Sequence, residues 1–247
     1  MIKLDRLPEP PILSTEGANW LTALQNAIAK YGSYKLIPTQ EREALAVHYR
    51  HKQIQETLSI SSHGKCAFCE CHPAEGGYLQ VEHFQPKSIY PDTTFEWKNL
   101  LPACGPCNIS KSDHDTAVEP LLNPYDADPT DYFDFEGISV LAKIGKNYEV
   151  SRRTIEVCSL EGIRLWKPRA DILISLKGFS QAIEQALKDL EEADSQAKRT
   201  HRKRRLNEAL LTIETLALPN SKFSAFCKSF LAKCDIYIKA KQVVSTP

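Results

Sequence analysis

Two short motifs decide the fold of the central part of this chain, Cys66-Ala67-Phe68-Cys69 and Cys104-Gly105-Pro106-Cys107, and 34 residues lie between them. Each motif can form a tight turn that directs two thiolates at one ion, and two such turns complete a tetrahedral Cys₄ zinc site. Four protein ligands leave no open position for a substrate or a water molecule, so the ion has a structural role. The sequence therefore predicts a structural Zn²⁺ held by Cys66, Cys69, Cys104 and Cys107.

The other four of the eight cysteines do not follow this spacing. Cys71 competes with Cys69 for the ion, but it has no second cysteine at the matching distance. We expect Cys158, Cys227 and Cys234 to be ordinary core residues. Two unrelated pairs of buried cysteines are the alternative to the zinc site. In zinc-finger peptides, metal binding supplies on the order of 10 kcal/mol of folding free energy, enough to order a segment with little core of its own.

The composition is that of a folded protein without a strong overall electric field. Of the 247 residues, 42% are apolar and 25% are charged, and 31 basic residues balance 31 acidic ones. This argues against a disordered chain, and any contact with nucleic acid must come from a local basic patch. Residues 1–13 lack the apolar run of a secretory signal, and no stretch is long enough to cross a membrane. We therefore expect a cytoplasmic protein with no membrane partner.

The pattern along the chain predicts a predominantly helical α+β fold in four segments. Residues 1–64 form an N-terminal arm with helices, and residues 65–120 hold the cysteine motifs. Residues 121–167 are rich in Pro and Asp and contain a small hairpin, and residues 168–247 form a C-terminal helical region.

Hydrophobic spacing, prolines and glycines give the bounds of the predicted elements. The arm is extended over Pro8–Pro11. We expect helices over Ala18–Tyr31, Thr39–Leu58 and Pro168–Leu216, the last as one long helix or a helical hairpin. One more amphipathic helix follows Pro219 and precedes a polar tail. The β-like runs are Tyr78–Phe84 and, with a turn at Gly145–Asn147 between them, Ile138–Ile144 and Tyr148–Ser151.

Three stretches accompany the cysteine motifs: Val81-Glu82-His83-Phe84-Gln85-Pro86-Lys87-Ser88, Trp97-Lys98-Asn99-Leu100-Leu101 and Cys107-Asn108-Ile109-Ser110-Lys111. They place a histidine, an asparagine sixteen residues later and a third polar residue nine further on. In this arrangement the sequence resembles the HNH endonuclease family. The resemblance implies a small ββα-metal core of the His-Me finger type, stapled by the Cys₄ zinc site and flanked by N- and C-terminal helices.

The resemblance also implies roles for the motif residues in phosphodiester hydrolysis. His83 matches the general base, and a neutral imidazole suits proton abstraction near neutral pH. Asn99 matches the middle position, which in the family supports the loop that carries the base. Asn108 matches the third position. The catalytic residues are then His83, Asn99 and Asn108.

A second, catalytic ion is also implied. Glu82 matches a metal-ligand position, and Asn108 matches a ligand on the helix where many members have His. Carboxylate and amide oxygens suit a hard cation such as Mg²⁺ or Mn²⁺. Because neighbours along a strand point to opposite faces, a bend at Phe84–Pro86 is needed to bring Glu82 and His83 together. The Glu and the second Asn depart from the commoner pattern, so the choice of metal stays open.

Two further residues follow Asn108. Lys111 lies three positions on, on the same side of a helix, and is predicted to bind a substrate phosphate. His114 is either an additional ligand or phosphate contact, or an exposed histidine at the end of the helix.

The resemblance extends to stretches outside the motif, Pro8–Leu13, Leu121-Leu122-Asn123-Pro124, Phe133–Gly137 and Arg152–Leu165. Together they are similar to the HNH nuclease subunit of Septu and retron-associated anti-phage systems. That similarity implies an ABC- or SMC-like ATPase as partner subunit, for which the composition gives no indication. The implied substrate is nucleic acid, in the first place DNA, with RNA and tRNA left open.

Two alternatives also stay open. The basic run Lys198–Arg205 is either a contact for the DNA backbone or a solvated face balanced by Glu191, Glu192 and Asp194. The cysteine and HNH-like motifs also fit a zinc-dependent binding or scaffold module for nucleic acid or protein, in which the HNH site is inactive.

Overall fold

The structure is a computed structural model, and it describes residues 1–73 and 77–245. Residues 74–76, which belong to the predicted segment 65–120, lie outside the described residues. The same holds for residues 246–247, which end the predicted segment 168–247. The chain divides into two compact units, Met1–Phe133 with Ala142–Leu160 and Asp134–Leu141 with Glu161–Pro247. Over the described residues the fold is predominantly helical with two small antiparallel sheets, as the predicted α+β class requires. No helix among them combines the length and apolar character needed to cross a lipid bilayer.

Three helices build the N-terminal part of the first unit: α1 (Pro11–Tyr31), α2 (Thr39–Ala46) and α3 (Lys52–Ser61). Their apolar faces form a core that continues into the motif-bearing segment and contains Leu24, Ile54, Leu58, Val81, Trp97 and Leu100. Burial of these side chains is the main favourable contribution to folding here. The helices therefore support the segment that carries the HNH-like motif.

The bounds of the first two predicted helices need correction. Helix α1 begins at Pro11, well before the predicted start at Ala18. Proline is tolerated in the first turn, because the N–H that it lacks would have no partner there. The second predicted helix is interrupted at His51, whose backbone is extended and whose ring accepts a hydrogen bond from the Gln53 N–H at the start of α3. Tyr49 lies in the 3₁₀ turn before this break.

The motif-bearing segment forms a two-stranded sheet followed by a short helix. β1 (Gln80–His83) pairs with β2 (Leu100–Ala103), so that Glu82 lies opposite Leu101 and His83 opposite Leu100. β1 lies inside the predicted run Tyr78–Phe84. After β2, Cys104 leads directly into α4 (Gly105–Lys111), which has a proline in its first turn.

The N-terminal arm is extended up to Pro10 and binds the chain just before β2. The Arg6 guanidinium donates hydrogen bonds to three carbonyl oxygens, those of Trp97 (2.6 Å), Lys98 (3.1 Å) and Leu100 (3.1 Å). In return, the Trp97 indole N–H donates to the carbonyl of Leu7 at 2.8 Å. The guanidinium carbon also lies 3.9 Å from the ring centroid of Tyr125, within the range of a cation–π contact. The arm thus holds the turn that contains Asn99.

The predicted hairpin was misplaced. The paired strands are β3 (Phe133–Glu136) and β4 (Ser139–Ala142), with Gly137 at a φ of +56° between them. Residues 148–151, predicted as the second strand, belong to helix α5 (Tyr148–Val157). This helix and the residue after it bury one face of small side chains, Ser151, Thr154 and Cys158. The sequence prediction counted only apolar residues. It therefore did not detect the helical spacing of these small, mostly polar side chains.

The second unit contains α6 (Ile163–Glu191), α7 (Gln196–Glu214), α8 (Ser224–Ala232) and α9 (Asp235–Ser245). Helices α6 and α7 form the helical hairpin that was one of the two predicted forms for this region. Helix α8 is the amphipathic helix expected after Pro219. The polar tail predicted beyond it is helical instead. It is held by the buried Ala240 and by the Tyr237 hydroxyl, which donates to Glu214 at 2.7 Å.

Candidate functional site

The four predicted zinc ligands converge in the first unit. The sulfur atoms of Cys66, Cys69, Cys104 and Cys107 all lie within 4.8 Å of one another, and all four residues are buried. The Cys69 and Cys104 sulfurs are 3.7 Å apart, close to the ~3.8 Å edge of a tetrahedron with Zn–S bonds of about 2.3 Å. Hydrogen bonds from Cys107 and then Cys66 lower the pKa of Cys104 to about 4. The donor set therefore fits one zinc ion.

Backbone hydrogen bonds tie the first cysteine turn to the sheet. The Ala67 N–H donates to the carbonyl of Pro102 in β2 at 2.8 Å, and the Cys66 N–H donates to the carbonyl of Cys71 at 2.9 Å. The Cys71 sulfur is half-buried and lies 3.3 Å from that of Cys69, beside the four-thiol cluster. Cys71 therefore closes the turn through its backbone carbonyl, and its thiol lies beside Cys69, one of the four predicted zinc ligands.

His83 is oriented by a backbone carbonyl. Its Nε2 atom lies 3.0 Å from the carbonyl oxygen of Thr94. A carbonyl only accepts, so Nε2 carries the proton and Nδ1 is left as the proton acceptor. The ring also contacts Tyr49 edge-on, with centroids 4.6 Å apart. Burial, followed by the charge of Lys87, lowers the pKa of His83 to about 3, so the imidazole is neutral at physiological pH.

Glu82 and Lys111 form a buried ion pair. The Lys111 ammonium lies 2.7 Å from the Glu82 carboxylate and donates a second hydrogen bond, at 2.9 Å, to the carbonyl of His83. Burial raises the pKa of Glu82 above its ordinary value, and the charge of Lys111 acts in the opposite direction. The Lys111 ammonium thus contacts both Glu82 and His83. The geometry does not place its ammonium at the surface, where the sequence predicted a phosphate contact.

Asn99 ties together two turns near His83. Its side-chain oxygen accepts from the Gln85 N–H at 2.7 Å, and its amide group donates to the Gln85 carbonyl at 3.0 Å. The same amide group donates to the carbonyl and the hydroxyl oxygen of Thr93. Asn99 thereby links the chain after β1 to the residue that precedes Thr94, whose carbonyl orients His83.

Asn108 has a partner that the sequence reasoning missed. Its amide group donates to the side-chain oxygen of Gln80 at 2.7 Å, which turns the Asn108 oxygen away from Gln80. Gln80 and Glu82 are two positions apart on β1 and so share a face of the strand. That period of two could have identified Gln80, whereas a backbone carbonyl such as that of Thr94 carries no signal in the sequence.

His114 does not join these residues. Its Nε2 atom lies 2.9 Å from the carbonyl of Glu119, and its Nδ1 atom is 3.8 Å from the carboxylate of the same residue. Of the two readings left open for His114, the structure places it in a local contact near the end of α4.

The central motif residues open onto one cleft of about 670 Å³. Glu82, His83 and Asn108 all line it, and Asn99 and Lys111 are not among its lining residues. Polar side chains from several elements complete the walls, namely Lys35, Arg42, Glu43, Arg50, Lys87, Ser88, Ser112 and Asp113. A carboxylate, a neutral imidazole and an amide thus line the same cleft.

No protein-family model matches the chain. It is 32% identical over 194 residues to the Septu protein PtuB of Bacillus thuringiensis, a match that covers 77% of this chain and 73% of the relative. The chain belongs to the PtuB family. A PtuB protein of Bacillus mycoides is 24% identical over 202 residues, which is 70% of this chain and 67% of the relative. Both PtuB alignments are longer than residues 65–120, so the likeness extends beyond the motif-bearing segment.

Proposed function

We propose that this chain is a metal-dependent HNH endonuclease that hydrolyses phosphodiester bonds of nucleic acid, in the first place DNA. Residues 65–120, with β1, β2 and α4, form its ββα core. Membership of the PtuB family, together with the resemblance described above, supports a role as effector subunit of an anti-phage defence complex with an ABC- or SMC-like ATPase. The cleft that joins Glu82, His83 and Asn108 is the observation that carries the proposal.

The motif residues have separate tasks in the proposed hydrolysis. His83 takes a proton from the attacking water at Nδ1, because the Thr94 carbonyl holds the other ring nitrogen as a donor. Asn99 keeps the two turns around His83 in place. Lys111 balances the charge of Glu82 while the site is empty of substrate.

The donor set also fits a catalytic divalent cation. Glu82 offers a carboxylate and Asn108 an amide oxygen, both of which suit Mg²⁺ or Mn²⁺. Such an ion, when bound, stabilises the charge that develops on the phosphate and the leaving oxygen. The Gln80 side chain orients the Asn108 amide for this role. Zinc, in contrast, stays with the four thiolates.

The test is cleavage of supercoiled plasmid with Mg²⁺ or Mn²⁺, by the chain alone and together with the candidate ATPase. His83→Ala should abolish cutting while zinc content stays unchanged. His114→Ala is the matched control, because this histidine contacts Glu119 and is expected to leave cutting intact. If the His83→Ala protein still cuts the plasmid, the proposed mechanism is wrong.

One observation favours a second candidate function. The Glu82 carboxylate already has a buried cationic partner in Lys111, as expected for a site that has lost its metal and serves only in binding. This zinc-dependent binding module predicts nucleic-acid or protein binding without cutting under any metal condition. If plasmid and RNA both remain intact with zinc bound, the binding module replaces the nuclease.

A further inference from the structure

Four basic residues line the same cleft as the proposed catalytic residues, Lys35, Arg42, Arg50 and Lys87. They come from separate elements. Lys35 lies between α1 and α2, Arg42 is in α2, Arg50 ends the 3₁₀ turn before α3, and Lys87 follows β1. Lys87 lies in the first motif stretch, but the HNH resemblance assigns a role to none of the four, and none is in the basic run of α7. The fold therefore brings together a cationic wall, defined here as these four residues.

The four side chains of the cationic wall form no ion pair among the described residues, although the carboxylates of Glu43, Glu82 and Asp113 line the same cleft. In the described part of the chain, no carboxylate lies within 4.0 Å of the charged nitrogens of these four residues. Basic residues on exposed helix faces elsewhere do pair with carboxylates one turn away, as in Lys52–Glu56, Arg152–Glu156, Lys167–Asp171 and Lys188–Glu184. Since the whole chain has no net charge, the unpaired wall is a local property of the cleft.

Buried aromatic rings contact three of the four cations of the wall. The Arg42 guanidinium lies 5.7 Å from the ring centroid of Tyr34, and Arg50 and Lys87 each lie 5.2 Å from that of Tyr49. Both rings are buried, so they fix the cations but leave no face on which a base could stack. Burial is the largest effect on Lys87 and lowers its pKa. The negative charge of Glu82 raises this pKa, and the positive charges of Arg50, Lys111 and Arg42 lower it further. The positive charges of Arg50 and Arg42 thus oppose that of Lys87, and the Glu82 carboxylate offsets part of this repulsion.

We propose that the cationic wall binds the sugar–phosphate backbone of duplex DNA beside the scissile bond, without reading its sequence. This inference rests on the proposed function and deepens it, since it names the surface that holds the substrate. Arginine offers a planar fork of donors that matches phosphate oxygens, and phosphate contacts position a duplex without reading bases. An acidic peptide would not place a phosphodiester against Glu82, His83 and Asn108.

The experiment measures binding of a fluorescein-labelled DNA duplex by His83→Ala protein over a series of salt concentrations. Lys35→Gln with Arg42→Gln is compared with Lys198→Gln and Arg199→Gln on α7, which remove the same charge from the rival basic run. Loss of two phosphate contacts should weaken binding about tenfold near physiological salt and flatten the log–log salt slope by about 1.8. The loss should be equal for two duplexes of unrelated sequence.

The outcomes separate this inference from the proposed function. If the α7 variant weakens binding and the cleft variant does not, or if the cleft variant discriminates between the two sequences, the cationic wall is not the backbone site. If wild-type protein cuts neither DNA nor RNA but the cleft variant still shows the slope change, the cationic wall is supported and the nuclease function is contradicted. Equal zinc content and circular dichroism in all variants exclude unfolding as the cause.

Discussion

Burial has two opposite effects on His83 in its proposed role as general base. It keeps the imidazole neutral by lowering its pKa to about 3, yet a base that weak accepts a proton poorly, because general bases work best with a pKa near the operating pH. Lys87 is the second cause of the lowered pKa. A substrate phosphate bound to Lys87 would offset that charge, so we expect the basicity of His83 to rise when substrate enters the cleft.

The same pKa predicts acid destabilisation. Unfolded His83 titrates near 6.5 and folded His83 near 3, so below 6.5 the unfolded state binds the extra proton and the contribution of His83 to stability is lost as pH falls. Between about pH 7 and about pH 5.5 the loss is about 1 kcal/mol. His83→Asn should lack this part of the pH dependence, as measured by urea unfolding at both pH values. Identical pH dependence in both proteins would contradict the buried neutral state.

Gln80 offers a test of how Asn108 is positioned. Gln80→Leu removes the oxygen that accepts from the Asn108 amide, and the loss of such an outer partner should cost about tenfold in cleavage rate and in apparent affinity for Mg²⁺. Gln80→Glu keeps an acceptor and should restore both. A general structural defect would lower the rate of both variants without changing the Mg²⁺ dependence.

At the scale of elements, the site was more predictable than its surroundings. The four cysteines are paired at short spacing, so the two thiols of each motif converge locally, and the contact of the first turn with β2 brings the two motifs together. The β1 strand and α4 follow from the same motif. The hairpin at 133–142 was missed because α5 buries Ser151 and Thr154, which an apolar pattern does not count. The cationic wall comes from separate elements, and only the tertiary packing of α2 brings Arg42 to the cleft.

The N-terminal arm is predicted to be a structural part of the site. Arg6→Met removes the donor for three carbonyl oxygens around Asn99, and we expect a loss of about 2 kcal/mol in the free energy of unfolding. Urea denaturation followed by tryptophan fluorescence measures this loss. Arg152→Met is the control, since its pairs with Glu149 and Glu156 are at the surface and should contribute less than about 1 kcal/mol. If both variants lose the same free energy of unfolding, the arm contributes little to stability.

At the scale of the whole molecule, the proposed zinc site lies in one unit. All four thiolates lie within Met1–Phe133, and the ion is expected to supply free energy on the order of 10 kcal/mol, comparable with the total stability of a domain. A strong zinc chelator should therefore expose the backbone of β1, β2 and α4 to hydrogen exchange while α6 and α7 stay protected. Mass spectrometry of exchanged peptides measures this difference.

The control for zinc removal is Cys158→Ala. It deletes a buried thiol outside the four-cysteine cluster and should retain the full zinc content and the protection of β1, β2 and α4. Cys107→Ser should reproduce the effect of the chelator without any chelator present. If exchange in α6 and α7 rises together with exchange in α4, the two units do not unfold independently.

The reach of the N-terminal arm bears on how the protein is made. Lys3 donates to the carbonyl of Tyr125, a residue 122 positions further along the chain. At 5–20 residues per second, a ribosome needs roughly 6 to 24 s to synthesise that interval. Arg6, which leaves the ribosome early, must therefore wait for the Trp97 turn and for Tyr125 before it can dock. Through this delay the turn that contains Asn99 lacks the hydrogen bonds of the arm, so this part of the first unit is completed only after Tyr125 has been synthesised.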